Sequence, residues 1–317
     1  MRHRIMLALA VALMVLLPPA PAQAIVNGQP DNGEHPYVGQ LFFYVPDAID
    51  DRFDDPGGWF NCSGSLISPT IVVTAGHCTY GTGLNGMPTT AADGDGGNDV
   101  WFSTSEATDY SFLPPSTDFV PDGNAARYDM WSSLLDRSSD WHEVTAAHPH
   151  PAYDDAAFFE HDAGVLVLEE PIYLEKYAQL PGLGLLDRLA KDPQRIYTPV
   201  GYGLEGSSPK SSFGGDTRRT ASVTLVSVNG AYGTGDGVAA KFSGNNGKPH
   251  TGGTCFGDSG GPILVGGTDT IVAVNSFGIS SNCKGGGGGY RLDQVDDLDF
   301  IGTYFQPAAT TANARTR

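Results

Sequence analysis

Short runs rich in Val, Ile, Leu, Thr and Phe recur along the chain between turn signals. GSLIS at 64–68, TIVVTA at 70–75, GVLVLEE at 164–170, SVTLVSV at 222–228, GPILVGG at 261–267 and TIVAVNSFG at 270–278 all have this form. Runs of this length bounded by Gly, Pro, Asn and Asp predict the strands of an antiparallel β protein. Strands do not alternate with helix-period segments, which argues against a parallel sheet covered by helices. One late helix is predicted over 292–301, where Leu292, Val295, Leu298 and Ile301 recur at spacing three and would dock on the core as a closing element. Two segments break the strand rhythm, 47–58 and 80 to about 141, and both read as extended surface loops. The end, 306–317, is small and polar and reads as a disordered tail.

The first apolar run is of another kind. Arg2 and Arg4 precede a nearly unbroken apolar stretch from Ile5 to Leu17, followed by PPAPAQA. A basic head, an apolar stretch too short to span a bilayer comfortably, and small residues at the end make residues 1–24 a signal peptide. The expected protein is therefore secreted and extracellular, free of the membrane after cleavage. Ala22-Gln23-Ala24 places the cut before Ile25; the overlapping Ala20-Pro21-Ala22 leaves a cut after Ala22 as the alternative.

Losing the leader leaves 16 Lys and Arg against 36 Asp and Glu, a net charge of −20. Such a surface repels nucleic acid and anionic lipid and says nothing about fold. Four cysteines, Cys62, Cys78, Cys255 and Cys283, in an exported chain read as two disulfides, with three pairings open on spacing alone. No C-x-x-C spacing suggests a metal, and no cofactor is expected. Asp93, Asp95 and Asp99 resemble a fragment of a calcium loop, but the closing bidentate Glu is missing, so a flexible acidic loop is the simpler reading.

The chemistry gathers at three places. In GGTCFGDSGGPILV, 252–265, Ser259 sits among small residues, as a nucleophile must if a substrate backbone is to come close. Gly257 to Gly261 also fits the G-x-S-x-G elbow of α/β-hydrolases, which place their histidine after the serine. Every histidine here precedes Ser259, which excludes that reading. A base must come from upstream, and His77 in VVTAGHC ends an apolar strand beside a cysteine that can staple it. His35, His142, His148, His150 and His250, taken singly, read as structural histidines. The orienting acid is Asp162, which stands ahead of the apolar strand of HDAGVLVL.

With these strings in hand the chain resembles a trypsin-like (chymotrypsin-fold) serine protease, of the secreted bacterial type. The order His, Asp, Ser matches, as do IVNG at 25–28, CSGSLIS and TAGHC around the histidine, HDAGVLVL at the acid, GYG at 201–203, CFGDSGGPI at the serine and SFG at 276–278. The resemblance implies an all-β fold of two packed antiparallel six-stranded barrels with a C-terminal helix. The first barrel with its inserted loops, 25–170, carries His77 and Asp162; the second, 171–305, carries Ser259 and the specificity pocket. It also implies disulfides Cys62–Cys78 and Cys255–Cys283.

Further implications follow residue by residue. Ser259 attacks a peptide carbonyl, His77 takes its proton, Asp162 fixes the imidazole, and the amides of Gly257 and Ser259 hold the oxyanion. The free ammonium of Ile25 pairs with Asp258, and Asp258 is expected to stay out of the interior until Ile25 is released. The pocket floor falls at Gly253, where a tryptic enzyme carries Asp, with Ser276, Phe277, Gly278 and Gly288 as walls; this implies cleavage after apolar residues. Protein or peptide substrates and a monomer are implied. Two features depart from the family: a long interval between His77 and Asp162, and few disulfides. A non-catalytic homologue acting as a binding protein is the alternative, and an esterase using the same triad is a second rival.

Overall fold

A computed structural model describes residues 25–305 except 47, 83–98, 121, 209–210, 231–233, 235, 245–250 and 284. The leader at 1–24, Asp93 and Asp95 of the acidic loop, His250 and the tail at 306–317 lie outside the described residues. Among the described residues, sixteen strands and three α-helices follow in chain order. They are β1 (Gln29–Pro30), β2 (Val38–Val45), β3 (Gly58–Leu66), β4 (Ile71–Thr74), β5 (Val100–Ser103), α1 (Gly123–Leu135), β6 (His142–Pro149) and β7 (Gly164–Leu168). Then come α2 (Leu185–Leu189), β8 (Ile196–Gly201), β9 (Leu204–Ser208), β10 (Ser211–Gly214), β11 (Arg219–Thr220), β12 (Val223–Asn229), β13 (Asp236–Ser243), β14 (Pro262–Val265), β15 (Ile271–Gly278), β16 (Gly286–Arg291) and α3 (Val295–Tyr304).

The strands make the two expected six-stranded antiparallel barrels. One closes in the order β2-β3-β4-β7-β6-β5; the other runs β8-β12-β13-β16-β15-β14 and closes through β14–β8 pairing. Closure removes the exposed edges that a sheet of this size would otherwise present. Inward residues of both barrels, including Val38, Leu41, Leu66, Val72, Leu166 and Leu264, are fully buried in one cluster. The barrels are also tied by polar anchors. Arg218, 3% exposed on its side chain, donates to the buried Asp31 at 2.9 Å and to the carbonyls of Val38 and Thr104. A buried Arg–Asp pair whose Nε and Nη1 are engaged in this way fixes register rather than adding much net stability.

The late helix is present but starts later, at Val295. Phe300 and Ile301 enter the core and Val295 faces solvent, because the chain from Leu292 to Gln294 approaches the barrel before the helix begins. The second loop expectation is corrected. Within the described part of 80–141 the chain forms β5, which pairs with β2 and β6, and the thirteen-residue helix α1. That helix has no apolar stripe to announce it. Its N-terminus is instead satisfied from far away: Asp55 accepts from the amides of Asn124 (2.7 Å) and Ala125 (3.0 Å). Gly123 lets the carboxylate come so close, since it holds φ +92° and a Cβ there would stand 2.5 Å from Asp55 Oδ1.

Candidate active site

Strand pairing brings the first two residues together. In the β4–β7 ladder Thr74 lies opposite Gly164, so His77, three residues past one, and Asp162, two before the other, leave the ladder at the same end. His77 sits in a single 3-10 turn, Gly76–Cys78, stapled to β3 by the Cys62–Cys78 disulfide; the second disulfide joins Cys255 to Cys283. Both pairings are the ones the resemblance implies.

Asp162 is fully buried and receives three donors. The amide of His77 donates to Oδ1 at 2.9 Å, the ring Nδ1 of His77 lies 3.0 Å from each oxygen, and the hydroxyl of Ser276 donates to Oδ2 at 2.6 Å. Burial works against the imidazolium of His77, yet the facing Asp162 charge and its hydrogen bond overcome this and raise its pKa above the usual value. With Nδ1 engaged by the carboxylate, Nε2 is the nitrogen left to act on a substrate.

Ser259 stands in a tight turn that packs against the first barrel. Its carbonyl accepts from Ser63 N at 2.7 Å, and Gly260 N donates to Asn275 O at 2.8 Å. A Cβ at Gly260 would lie 2.0 Å from Thr74 Oγ1, so only glycine allows this approach. Among the described residues the amides of Gly257 and Ser259 donate to no protein acceptor, while those of Asp258 and Gly261 donate to Cys255 O and Asp258 O. Two free amides flanking a hydroxyl can receive an oxyanion. Ser259 and His77 line one cavity of about 590 Å³, with no direct hydrogen bond between them. Such a bond often tightens only when substrate is present.

Ile25 and Asp258 are both fully buried. Val26 docks on the second barrel, accepting from Gly253 N at 3.1 Å. Contrary to the expectation that it would wait outside, Asp258 already faces inward, because the amides of Gly203 and Cys255 (2.8 Å each) take its two oxygens. No ion pair or hydrogen bond joins it to Ile25 among the described residues. Burial therefore dominates and pushes its pKa up to about 7.

A recess of about 380 Å³ opens beside Ser259. Ser276, Phe277 and Gly278 line it, together with Phe158, Phe256 and Ile279, and no charged side chain lines it among the described residues. Gly253 and Gly288 are placed elsewhere. Gly253 borders a separate crevice of about 10 Å³, and the ring of Phe277 lies across Gly288, where a Cβ would stand 2.3 Å from it.

Among the described residues two donor groups converge. Cys62, His77 and Cys78 form one, but both sulfurs are in the disulfide; His150, His161 and Asp296 form the other. Asp99, the described member of the acidic loop, instead accepts from Tyr128. His35 is held by Asp31, and His150 stacks on His161.

Sequence reading overlooked an aromatic group beside the site. Phe158 and Phe159 meet Phe277 with ring centroids 6.2 and 6.4 Å apart, and Phe158 also meets His77 edge-on. The doubled Phe just ahead of His161-Asp162 was the available signal. Ser63 was overlooked as well: its buried hydroxyl donates to Gly257 O and accepts from Tyr202 N, fixing the turn before Ser259.

Comparison with known proteins adds to this geometry. The family model described as Trypsin matches residues 123–295. A trypsin from Saccharopolyspora erythraea is 29% identical over 262 residues, covering 80% of this chain and 86% of its own. Serine protease 1 of Drosophila melanogaster is 26% identical over 288 residues, covering 90% and 88%. A solved structure of HL collagenase superposes with a TM-score of 0.58 at 17% identity, covering 89% of this chain and 98% of that one, and so speaks for the fold.

Proposed function

The chain belongs to the trypsin family and is a serine endopeptidase acting on proteins or peptides; from that premise we propose the residues, the activation and the preference. Ser259 Oγ attacks the scissile carbonyl while His77 Nε2 takes its proton. The oxyanion is held by the Gly257 and Ser259 amides, at roughly 3 kcal/mol per donor. His77 then gives the proton to the leaving amine, and water releases the acyl group by the same path in reverse roles. Asp162 holds the ring with Nδ1 toward itself and balances the imidazolium. Serine, imidazole and carboxylate supply nucleophile, base and orienting charge, so no cofactor enters the chemical step.

The observation that carries this reading is the buried Asp162, closed around His77 by three donors, beside a serine flanked by two unengaged amides. The uncharged, phenylalanine-rich recess supports cleavage after apolar residues, since an Arg or Lys there would lose its charge partner. The leader supports secretion, and release at Ile25 supplies the ammonium that Asp258 lacks. No described helix is long and apolar enough to cross a membrane. We take the working unit to be a monomer.

The intact mass of the secreted protein, before and after a serine-directed phosphonylating reagent, tests the reading. A mass beginning at Ile25 that gains one adduct, lost in Ser259→Ala, is expected. A chain beginning at Ile25 that takes no adduct overturns it. A peptide panel cleaved only after Arg and Lys overturns the pocket assignment.

A further inference from the structure

The two insertions of the first barrel do more than cover it. Together with β2, β3 and β5 they gather all four tryptophans of the chain, Trp59, Trp101, Trp131 and Trp141, around Phe42, which stacks on Trp59 with centroids 4.9 Å apart. Trp59 in turn meets Trp101 at 5.6 Å and Trp131 at 5.3 Å. The cluster is not closed over. It leaves a pocket of about 480 Å³ walled by Phe42, Trp59, Tyr110, Leu113, Pro114 and Trp131.

The wall is held from behind. Arg127, 3% exposed, lies over the rings of Phe53 (4.5 Å) and Trp131 (5.4 Å), and its helix α1 is pinned by Asp55. Trp59 Nε1 and Arg127 Nε, both buried, lack an acceptor among the described residues.

The location names the occupant. Phe60 and Asn61 line both this pocket and the 590 Å³ cavity that contains His77 and Ser259. Ser259 and Phe256 border that cavity and also the 380 Å³ recess on the Ser276–Gly278 side. A polypeptide whose acyl-side residue fills the recess has a continuous path from Ser259 over Cys62, Asn61 and Phe60 toward the tryptophans.

Resting on the endopeptidase reading above, we propose that the pocket walled by Trp59, Trp131 and Leu113 binds an aromatic side chain of the substrate on the leaving-group side of the scissile bond. Flat rings favour an aromatic guest, the guanidiniums of Arg52 and Arg127 in the lining disfavour a cationic one, and rigid walls lower the cost of ordering it.

The test uses quenched peptides with one acyl-side sequence and an Ala-Gly extension on the leaving side, along which a single Phe is moved. A small nitrophenyl ester, which has no such extension, is the control. With Phe at one preferred position kcat/KM should rise roughly tenfold over the all-Ala-Gly peptide. That gain should vanish in Trp131→Ala and in Leu113→Asp, with ester turnover kept. In Ser259→Ala protein the Phe peptide, unlike the Ala-Gly peptide, should shift tryptophan emission, because every tryptophan lies in this cluster. Ester turnover with no Phe position preferred overturns the proposal, as does an emission shift by an oligosaccharide and none by the peptide. Failure to turn over the ester as well as the peptides would indict the endopeptidase reading instead.

Discussion

Asp162 and Asp258 are both fully buried carboxylates at the same site, one from each barrel, and they are provided for in different ways. Asp162 has three donors, one of them on a ring that can carry positive charge, and the raised pKa of His77 shows the pair favouring that charge. Asp258 has two backbone amides and no cation, and its own pKa is pushed up to about 7. An amide donates a partial charge where an ammonium donates a whole one, so burial wins at Asp258 and loses at the His77–Asp162 pair. The first barrel's half of the site is electrostatically finished, whereas the second barrel's half is arranged in shape and, on the activation proposed above, awaits the charge of Ile25.

The largest effect should come from breaking the finished half. Asp162→Asn keeps the shape but turns the imidazole to the wrong tautomer, and kcat should fall about 10⁴-fold with little loss of Tm. The pH profile sharpens the point. On the proposed mechanism the base is neutral imidazole, so kcat/KM should rise with pH through a midpoint above the ordinary value of about 6.5, and that midpoint should drop in the variant. In stability the sign runs the other way. The stabilisation that Asp162 gives to protonated His77 is complete below the unfolded pKa and is lost as pH rises through the raised folded one. A midpoint indifferent to Asp162 would break the comparison.

Asp258→Asn should come next, and its sign should depend on the N-terminus. In a chain that retains residues ahead of Ile25, Asp258 binds its proton more tightly folded than unfolded. Stability is then full below about pH 4 and lost as pH rises through about 7, by roughly 4 kcal/mol at most. Asn there should flatten that slope and stabilise the chain at neutral pH. In a chain that begins at Ile25 the same change should destabilise by about 3 kcal/mol and lower activity, because it strands a buried ammonium. Denaturation of both forms from pH 4 to 8 reads both signs; the same sign in both would mean Ile25 and Asp258 do not pair.

The two halves were unequally legible in the sequence. Ser259, His77 and Asp162 stood out because each lies near a strand end among glycines or cysteines whose spacing is local, and short apolar runs marked six of the twelve barrel strands. Helix α1 was not legible, since GNAARYDMWSSLL has no apolar stripe and its cap, Asp55, is 69 residues from Asn124. The pocket walls were half legible. Unbroken pairing from Asn275↔Gly289 would set Phe277 opposite Gly287, but an irregularity between Asn275 and Phe277 sets it on Gly288. A one-residue shift of that kind depends on the whole sheet and leaves no mark in a run of five glycines. The inward turn of Asp258 was hidden likewise, since it depends on where the amides of Gly203 and Cys255 point.

Ser276 links the halves, because it belongs to β15 of the second barrel while its hydroxyl serves Asp162 of the first. Ser276→Ala removes one charge-assisted donor and leaves two, so it should cost about 1.5 kcal/mol, a kcat roughly tenfold lower, with the pH midpoint moving by less than in Asp162→Asn. A loss as large as that of Asp162→Asn would show that the first half is not finished without its neighbour.

The smallest effect should follow Asp55→Ala, which cuts the cap of α1 without touching either carboxylate of the site. The amides of Asn124 and Ala125 hold the Asp55 pKa below its usual value, so its contribution is present above the unfolded pKa and lost as pH falls through the folded one. Losing one exposed cap should cost about 1 kcal/mol near neutrality and nothing in strong acid. Because, among the described residues, the bonds to the Asp162 carboxylate come from His77 and Ser276, the midpoint of the kcat/KM profile on a small ester should not move. A shift of that midpoint would mean that the inserted helix reaches the His77–Asp162 pair through the barrel wall, and that the finished half depends on the insertion as well as on its own ladder.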